Sequence, residues 1–392
     1  MATSQPIEFY RHNLGREEKA RIVAALDRPI LTTGQAVAEA EQALADYLGI
    51  AQVVCLDSCT AALHLALTSL GVGPGDHVIV PAMTFVATAN AVLMAGAEPV
   101  FADVDPATGC LTPDTVLPRL TPRTRAIIPV HLYGQLCDMA ALNALAQDHN
   151  LFLIEDSAHC IEARRGSVRP GSHSRGACLS FYATKNITCG EGGAFATNDA
   201  DLAERVRRLS LHGMTTSAYD RYDKPYQHWD MPTWGWKYNL DDIRASLLLP
   251  QIHKLDEQWR RRIAIAAHYE AAFGQMDDVD HPRVSVPEWS ARHLFPIWVP
   301  PARRNDIVAA LQERQIGVVV NYRAAHLLEF YARQYGYRHG DLPVAESIGD
   351  RTLSIPFYTQ LTDEQVRRVI DAVGEAVRES GKPCGVPLSS VG

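Results

Sequence analysis

No stretch of this chain approaches the ~18 consecutive apolar residues that a membrane helix needs, and it has no polybasic cluster to anchor it to a lipid surface. The residues from Met1 to Pro6 carry no charged segment leading into an apolar one, so a secretory leader is not expected. Lysine and arginine number 37 against 45 acidic residues, a formal net charge of -8 with both signs interspersed. That balance leaves no basic face for nucleic acid. The eight cysteines (Cys55, Cys59, Cys110, Cys137, Cys160, Cys178, Cys189 and Cys384) include no Cys-x-x-Cys pair. Reduced thiols and a cytoplasmic location are expected, without disulfides or structural zinc. Internal repeats and low-complexity segments are also missing, which removes solenoids and arrays.

What remains is a 392-residue chain that is 47% hydrophobic, enough for a large core and two domains. Between about residues 50 and 210, short apolar runs alternate with helical patterns. The runs are Val53 to Leu56, Val78 to Val80, Pro99 to Phe101, Ala126 to Val130, Leu151 to Ile154, Cys178 to Phe181 and Gly193 to Ala196. The stretches Ala61 to Leu70, Val86 to Ala95 and Met139 to Ala146 read as helices between them. Strands buried on both faces and separated by helices predict an α/β fold with a mostly parallel sheet. Residues 213 to 238 lose this periodicity and become aromatic, with Tyr219, Tyr222, Tyr226, Trp229, Trp234, Trp236 and Tyr238, which predicts a long functional loop. Beyond it come helices at Gln251 to Phe273, Arg304 to Gln315 and Asp363 to Val377, and strands at Leu294 to Val299 and Gly317 to Val320. A domain over residues 1–250 and a smaller α+β domain over 251–392 are expected, with a frayed tail from Gly381.

The chemistry concentrates in Ser180-Phe-Tyr-Ala-Thr-Lys185-Asn-Ile-Thr-Cys-Gly190-Glu-Gly-Gly193, downstream of a strand that ends in Glu155-Asp156-Ser157-Ala158-His159. A lysine among aromatic and small residues, with an acid at a strand end one βαβ unit earlier, suits a Schiff-base enzyme. The lysine holds an aldehyde cofactor and the aspartate keeps a ring nitrogen protonated. Asp156 needs a cationic partner if buried; a helix cap or an arginine would serve as well as a ring nitrogen. His159, three residues on, reads either as a neighbour of the cofactor's phenolic oxygen or as a satisfied core histidine. Ser58, Thr60 and Ala61 open a helix after the first run, and its free N–H groups suit a phosphate, although Ser58 alone is also an ordinary cap. Phe85 follows a strand end, where it either stacks on a flat ring or packs in the core.

These residues resemble the sugar aminotransferases of the DegT/DnrJ/EryC1/StrS family, a branch of the fold-type I pyridoxal-phosphate enzymes. The similarity spans nearly the whole chain, through Leu31 to Gly34, Ser58 to Leu67, Thr84 to Thr88, Glu155 to His159, Ser180 to Gly193, Gly235 to Asn239, His293 to Phe295 and Gly340 to Pro343. The resemblance implies pyridoxal 5'-phosphate on Lys185, Asp156 on its ring nitrogen, His159 at its hydroxyl face, Phe85 against its ring, and Thr60, Ala61 and Ser180 at its phosphate. Asn239 matches a residue that reaches the phosphate from the other subunit, so a homodimer with shared active sites is implied. The implied reaction moves an amino group from L-glutamate to a keto carbon of a nucleotide-linked deoxysugar.

A keto-cyclitol is the alternative acceptor. The related sugar dehydratases place histidine where this chain has Lys185, and a cofactor-binding protein without catalysis is a third reading. Two positions depart from the family pattern. Cys59 replaces a frequent glycine at the phosphate turn, and Asn321 replaces a frequent histidine, which bears on the acceptor. No metal site is expected.

Overall fold

The computed structural model describes residues 5–216, 228–284 and 288–381. Tyr219, Tyr222, Tyr226, Cys384 and the C-terminal tail therefore lie outside the described residues. The strands in chain order are β1 (Gln52–Leu56), β2 (His77–Pro81), β3 (Glu98–Ala102), β4 (Thr124–Ile127), β5 (Phe152–Asp156), β6 (Arg164–Arg165), β7 (Gly176–Ser180), β8 (Gly193–Thr197), β9 (Glu288–Trp289), β10 (Phe295–Trp298) and β11 (Thr352–Ile355).

The apolar runs expected from the sequence form the central sheet, in the order β1-β8-β7-β5-β4-β2-β3. The pairs β7·β5, β5·β4, β4·β2 and β2·β3 are parallel, and β8 alone runs antiparallel to both neighbours. Because β8 is reversed, its first residue Gly193 lies at the same edge as the carboxyl ends of β1, β5 and β7. That edge is where ligands of open α/β sheets bind. Both faces are covered, so β2 and β8 are buried along their whole length. One face packs against the helices Cys59–Ser69, Ala87–Met94, Met139–Asp148 and Ala200–Leu209. The other carries the helix Gln35–Leu48 and the short helix Leu248–His253.

A second apolar core gathers Ile7 with residues from Ile265 to Val377 around the antiparallel pair β10·β11. Here the structure departs from the sequence expectation in three places. The segment 317–320 forms no strand: Val319 makes a single bridge to Ser354, and its side chain and that of Val320 stay exposed. The partner of β10 is instead β11. The helix expected from Gln251 to Phe273 is two helices, broken at Lys254, with the longer one spanning Leu255–Phe273.

Candidate active site

The carboxyl edge of the sheet opens on a cavity of about 600 Å³ whose wall includes Ser58, Thr60, Phe85, Asp156, His159 and Lys185. Residues separated by more than a hundred positions meet there because β1, β2, β5 and β7 all end at the same edge of the sheet. Ser180, Asn321 and Tyr322 also face the cavity. Ala61 and Asn239 do not appear in its lining in the single chain.

Ser58 caps the helix Cys59–Ser69, its Oγ accepting from the Ala61 N–H at 3.1 Å. The structural role open to Ser58 and the anion site are therefore compatible, because the cap occupies the Ala61 amide. Among the described residues the Cys59 and Thr60 amides make no hydrogen bond, so they are available to an anion at the helix start. Gly193 makes this geometry possible: a Cβ there would overlap the Ser58 and Cys59 backbone. The cysteine at position 59 costs the anion site little. Its Sγ lies 3.4 Å from the Cys178 carbonyl oxygen and 4.0 Å from Asp156 Oδ1, turned toward the sheet.

Asp156 is 6% exposed. Its Oδ2 accepts from Thr88 Oγ at 2.8 Å and its Oδ1 from the Ala158 N–H at 3.1 Å. Thr88 Oγ is also 2.8 Å from Oγ of Thr84, four residues earlier in the bend that precedes the helix Ala87–Met94. Burial pushes the Asp156 pKa up, opposed by Thr88, the Ala158 amide and the Lys185 charge. These hydrogen-bond partners are neutral, so the carboxylate retains the capacity to face a cation from the cavity. The next residue back, Glu155, points to the opposite side of β5. There it receives a hydrogen bond from buried His131 at 2.7 Å and others from Gly171 N–H and Ser174 Oγ.

Lys185 is partly exposed to the cavity and otherwise enclosed. Burial lowers its pKa to about 8, while Asp156 and Cys59 pull it back up. A substantial fraction is the neutral, nucleophilic amine near pH 8. His159 accepts from the Tyr133 N–H through Nδ1 at 3.3 Å, which leaves the proton on Nε2, 3.3 Å from Tyr322 Oη. Burial first, then the Lys185 charge, holds its pKa well below the usual imidazole range, so it is neutral at pH 7. Phe85 is 56% exposed with its ring 5.8 Å from that of Tyr322, so it belongs to the cavity wall and not to the core.

Asn239 donates to Thr33 Oγ at 2.6 Å and accepts from Lys237 Nζ at 2.5 Å, beside the end of β1 at Leu56. Sequence reasoning missed Thr88, Tyr133, His293 and Tyr322 as members of this site. The four-residue spacing of Thr84 and Thr88 on a helix start was the available signal for one of them. The others come from loops whose position only the fold supplies.

Residues 12–374 match the model of the DegT/DnrJ/EryC1/StrS aminotransferase family. The spore coat polysaccharide biosynthesis protein SpsC of Bacillus subtilis is 39% identical over 371 residues, 93% of this chain and 95% of that protein. Spr1654 of Streptococcus pneumoniae, described as a sugar aminotransferase and solved in a PLP form, superposes with a TM-score of 0.90 at 29% identity, covering 96% of this chain and 100% of that one. DesV of S. venezuelae, solved with a ketimine intermediate, gives a TM-score of 0.85 at 36% identity over 94% of this chain and 95% of that chain. The chain belongs to the DegT/DnrJ/EryC1/StrS family and is a pyridoxal-phosphate-dependent sugar aminotransferase.

Proposed function

We propose that this enzyme moves the amino group of L-glutamate to a keto carbon of a nucleotide-linked deoxysugar. The observation that carries the reading is Lys185, its amine pKa brought to about 8, on the same wall as Asp156 and the helix start at Ser58. The residues present fit the cofactor. A buried carboxylate with neutral partners suits a protonated ring nitrogen, free amides at a helix start suit a phosphate, and an exposed aromatic suits a ring face. Bound there, pyridoxal phosphate supplies an aldehyde for the lysine and a ring that withdraws electrons from the reacting carbon.

The chain's own residues do the rest. Asp156 holds the proton on the ring nitrogen, with Thr88 fixing its orientation. His159 offers its Nε2–H to the ring's phenolic oxygen. Ser58, Thr60 and Ser180, with the free Cys59 and Thr60 amides, would frame the phosphate and Phe85 would cover the ring, whereas Ala61, its amide taken by the Ser58 cap, would hold the helix start in place. A pKa of about 8 would let the Lys185 amine, when free, take up and give back a proton at its Nζ beside the reacting carbon. Asn239 works from the other subunit of a homodimer, which accounts for its place outside the cavity of a single chain. A cofactor domain over 1–250 and a smaller domain over 251–392 draw support from the separate core around β10 and β11, although Ile7 joins that core while Ala324, Tyr331 and Ile348 pack in the first one.

The acceptor is tested by incubating holoenzyme and L-glutamate with a panel of keto-sugar nucleotides and keto-cyclitols. Mass spectrometry should find the amino product from a sugar nucleotide together with 2-oxoglutarate. Amination of the cyclitols alone would transfer the proposal to the alternative acceptor.

A further inference from the structure

Behind the cavity lies a buried polar chain that the reaction described above does not use. Arg262 and Glu162, both almost fully enclosed, form an ion pair. The second carboxylate oxygen of Glu162 accepts from Asn186 Nδ2 at 2.8 Å, and the same nitrogen donates to the Ala291 carbonyl at 3.2 Å. Arg262 Nε donates to that carbonyl as well, at 3.2 Å. Asn186 Oδ1 then faces His293 Nδ1 at 3.1 Å. His293 is 5% exposed, lines the cavity, and packs against His159 with ring centroids 4.4 Å apart.

The partners fix every role in this chain. Glu162 has a donor at each oxygen and accepts on both, so Asn186 must present its NH₂ to Glu162 and Ala291. Its oxygen is then committed to His293, which must carry its proton on Nδ1. With Nδ1 turned to Asn186, Nε2 is the nitrogen left to the cavity, and it has a lone pair. His159 has the opposite tautomer, set by the Tyr133 amide. Two adjacent neutral imidazoles thus present one donor and one acceptor to the same space. Burial, with the charges of Lys185 and Arg262, keeps His293 neutral at pH 7, so the lone pair stays available.

We propose that His293 is a specificity residue for the acceptor, its Nε2 receiving a hydrogen bond from a hydroxyl of the sugar, with Arg262, Glu162 and Asn186 as the positioning residues that lock its tautomer. This rests on the sugar aminotransferase reading, but the tautomer itself does not depend on which sugar is used. An acceptor-only nitrogen discriminates strongly: a sugar lacking the hydroxyl leaves it unpaired, and one placing an ether or a keto oxygen there meets two lone pairs.

The test is ¹⁵N NMR of holoenzyme with labelled imidazoles, assigned with His293→Gln. At pH 7 His293 should show the Nδ1–H tautomer and His159 the Nε2–H tautomer. In Glu162→Gln the new amide donates toward Asn186, flips it, and should convert His293 to Nε2–H. Using the acceptor with the highest turnover in the panel above, Glu162→Gln and His293→Leu should each raise its KM about tenfold, while His293→Gln, which keeps an acceptor oxygen, should lose less. The L-glutamate half-reaction of Glu162→Gln should change less than about twofold. A wild-type His293 found as Nε2–H or as imidazolium overturns the proposal even if Glu162→Gln fails to fold or no acceptor is turned over. Equal losses in both half-reactions for His293→Leu would also overturn it, assigning the lone pair to Lys185.

Discussion

Lys185 gives the sharpest quantitative expectation. Without cofactor its amine is protonated at pH 7, and enclosure lowers its pKa from 10.5 to about 8. At about 1.36 kcal/mol per pH unit, the folded state carries a penalty of about 3 kcal/mol for that charge. Lys185→Met keeps an unbranched side chain, one atom shorter, and removes the charge, so the cofactor-free variant should be more stable than the cofactor-free wild type at pH 7. With an unfolding entropy near about 2.1 cal/mol/K per residue, the gain in Tm is roughly 4 °C. The pH dependence carries the sign. Below about pH 8 both states of the wild type hold the proton and the penalty is complete. Between pH 8 and 10.5 the folded amine loses its proton while the unfolded chain keeps it, so wild-type stability rises with pH. By about pH 9.5 the wild type should have recovered about 2 kcal/mol and the gap in Tm should have closed to roughly 2 °C. Thermal unfolding of both cofactor-free proteins from about pH 7 to 9.5 checks this. A gap that is absent at pH 7, or that stays constant over the range, would show that Lys185 is not held by burial.

Thr88→Val removes the donor to Asp156 Oδ2 in nearly the same volume; calorimetry should record a loss of about 1–3 kcal/mol, and the cofactor should dialyse away faster. Gly193→Ala forces apart β8 and the helix start, so affinity for pyridoxal phosphate, measured by fluorescence titration of the cofactor-free protein, should fall at least tenfold, and because the overlap is with backbone the Tm should fall too. Verified heterodimers of Asn239→Ala with Lys185→Ala should recover activity, since both lesions then fall in one site and spare the other; no recovery counts against a shared site. Asn321→Ala should lower kcat/KM for the keto acceptor by roughly tenfold, equivalent to ~1.4 kcal/mol, and spare the L-glutamate half-reaction, as stopped-flow traces of each half would show.

The parts of the fold that could be read from residues were those whose signal is local. Each central strand is an apolar run bounded by turn residues, and all seven appear where the runs are. The helix Gln35–Leu48 shows why other parts were not legible. Its preceding residue is Gly34, which has no capping side chain, so the usual start signal is missing. The cap comes from Asp242, whose carboxylate accepts from the Gly34, Ala36 and Val37 amides across more than two hundred residues. Likewise the run from Gly317 to Val320 looks like a strand because its three valines favour a pleated surface, but Val319 finds one bridge partner and no ladder.

The same distinction separates the members of the site. Lys185, Asp156, His159, Ser58 and Phe85 sit at strand ends or helix starts, and the α/β topology alone requires those ends to converge on one edge. A sequence that predicts the sheet therefore predicts their meeting. His293 and Tyr322 lie on irregular segments of the C-terminal half and Tyr133 on the turn after β4, and no period in the sequence announces that the three meet beside His159. Their chemistry is also relational. An isolated histidine has no fixed tautomer, and His159 and His293 become donor and acceptor only through a backbone amide in one case and a buried carboxylate, amide and guanidinium in the other. Residues that act by position follow from topology, whereas residues that act by the proton they carry follow from the hydrogen-bond network behind them, and that network has to be seen in three dimensions.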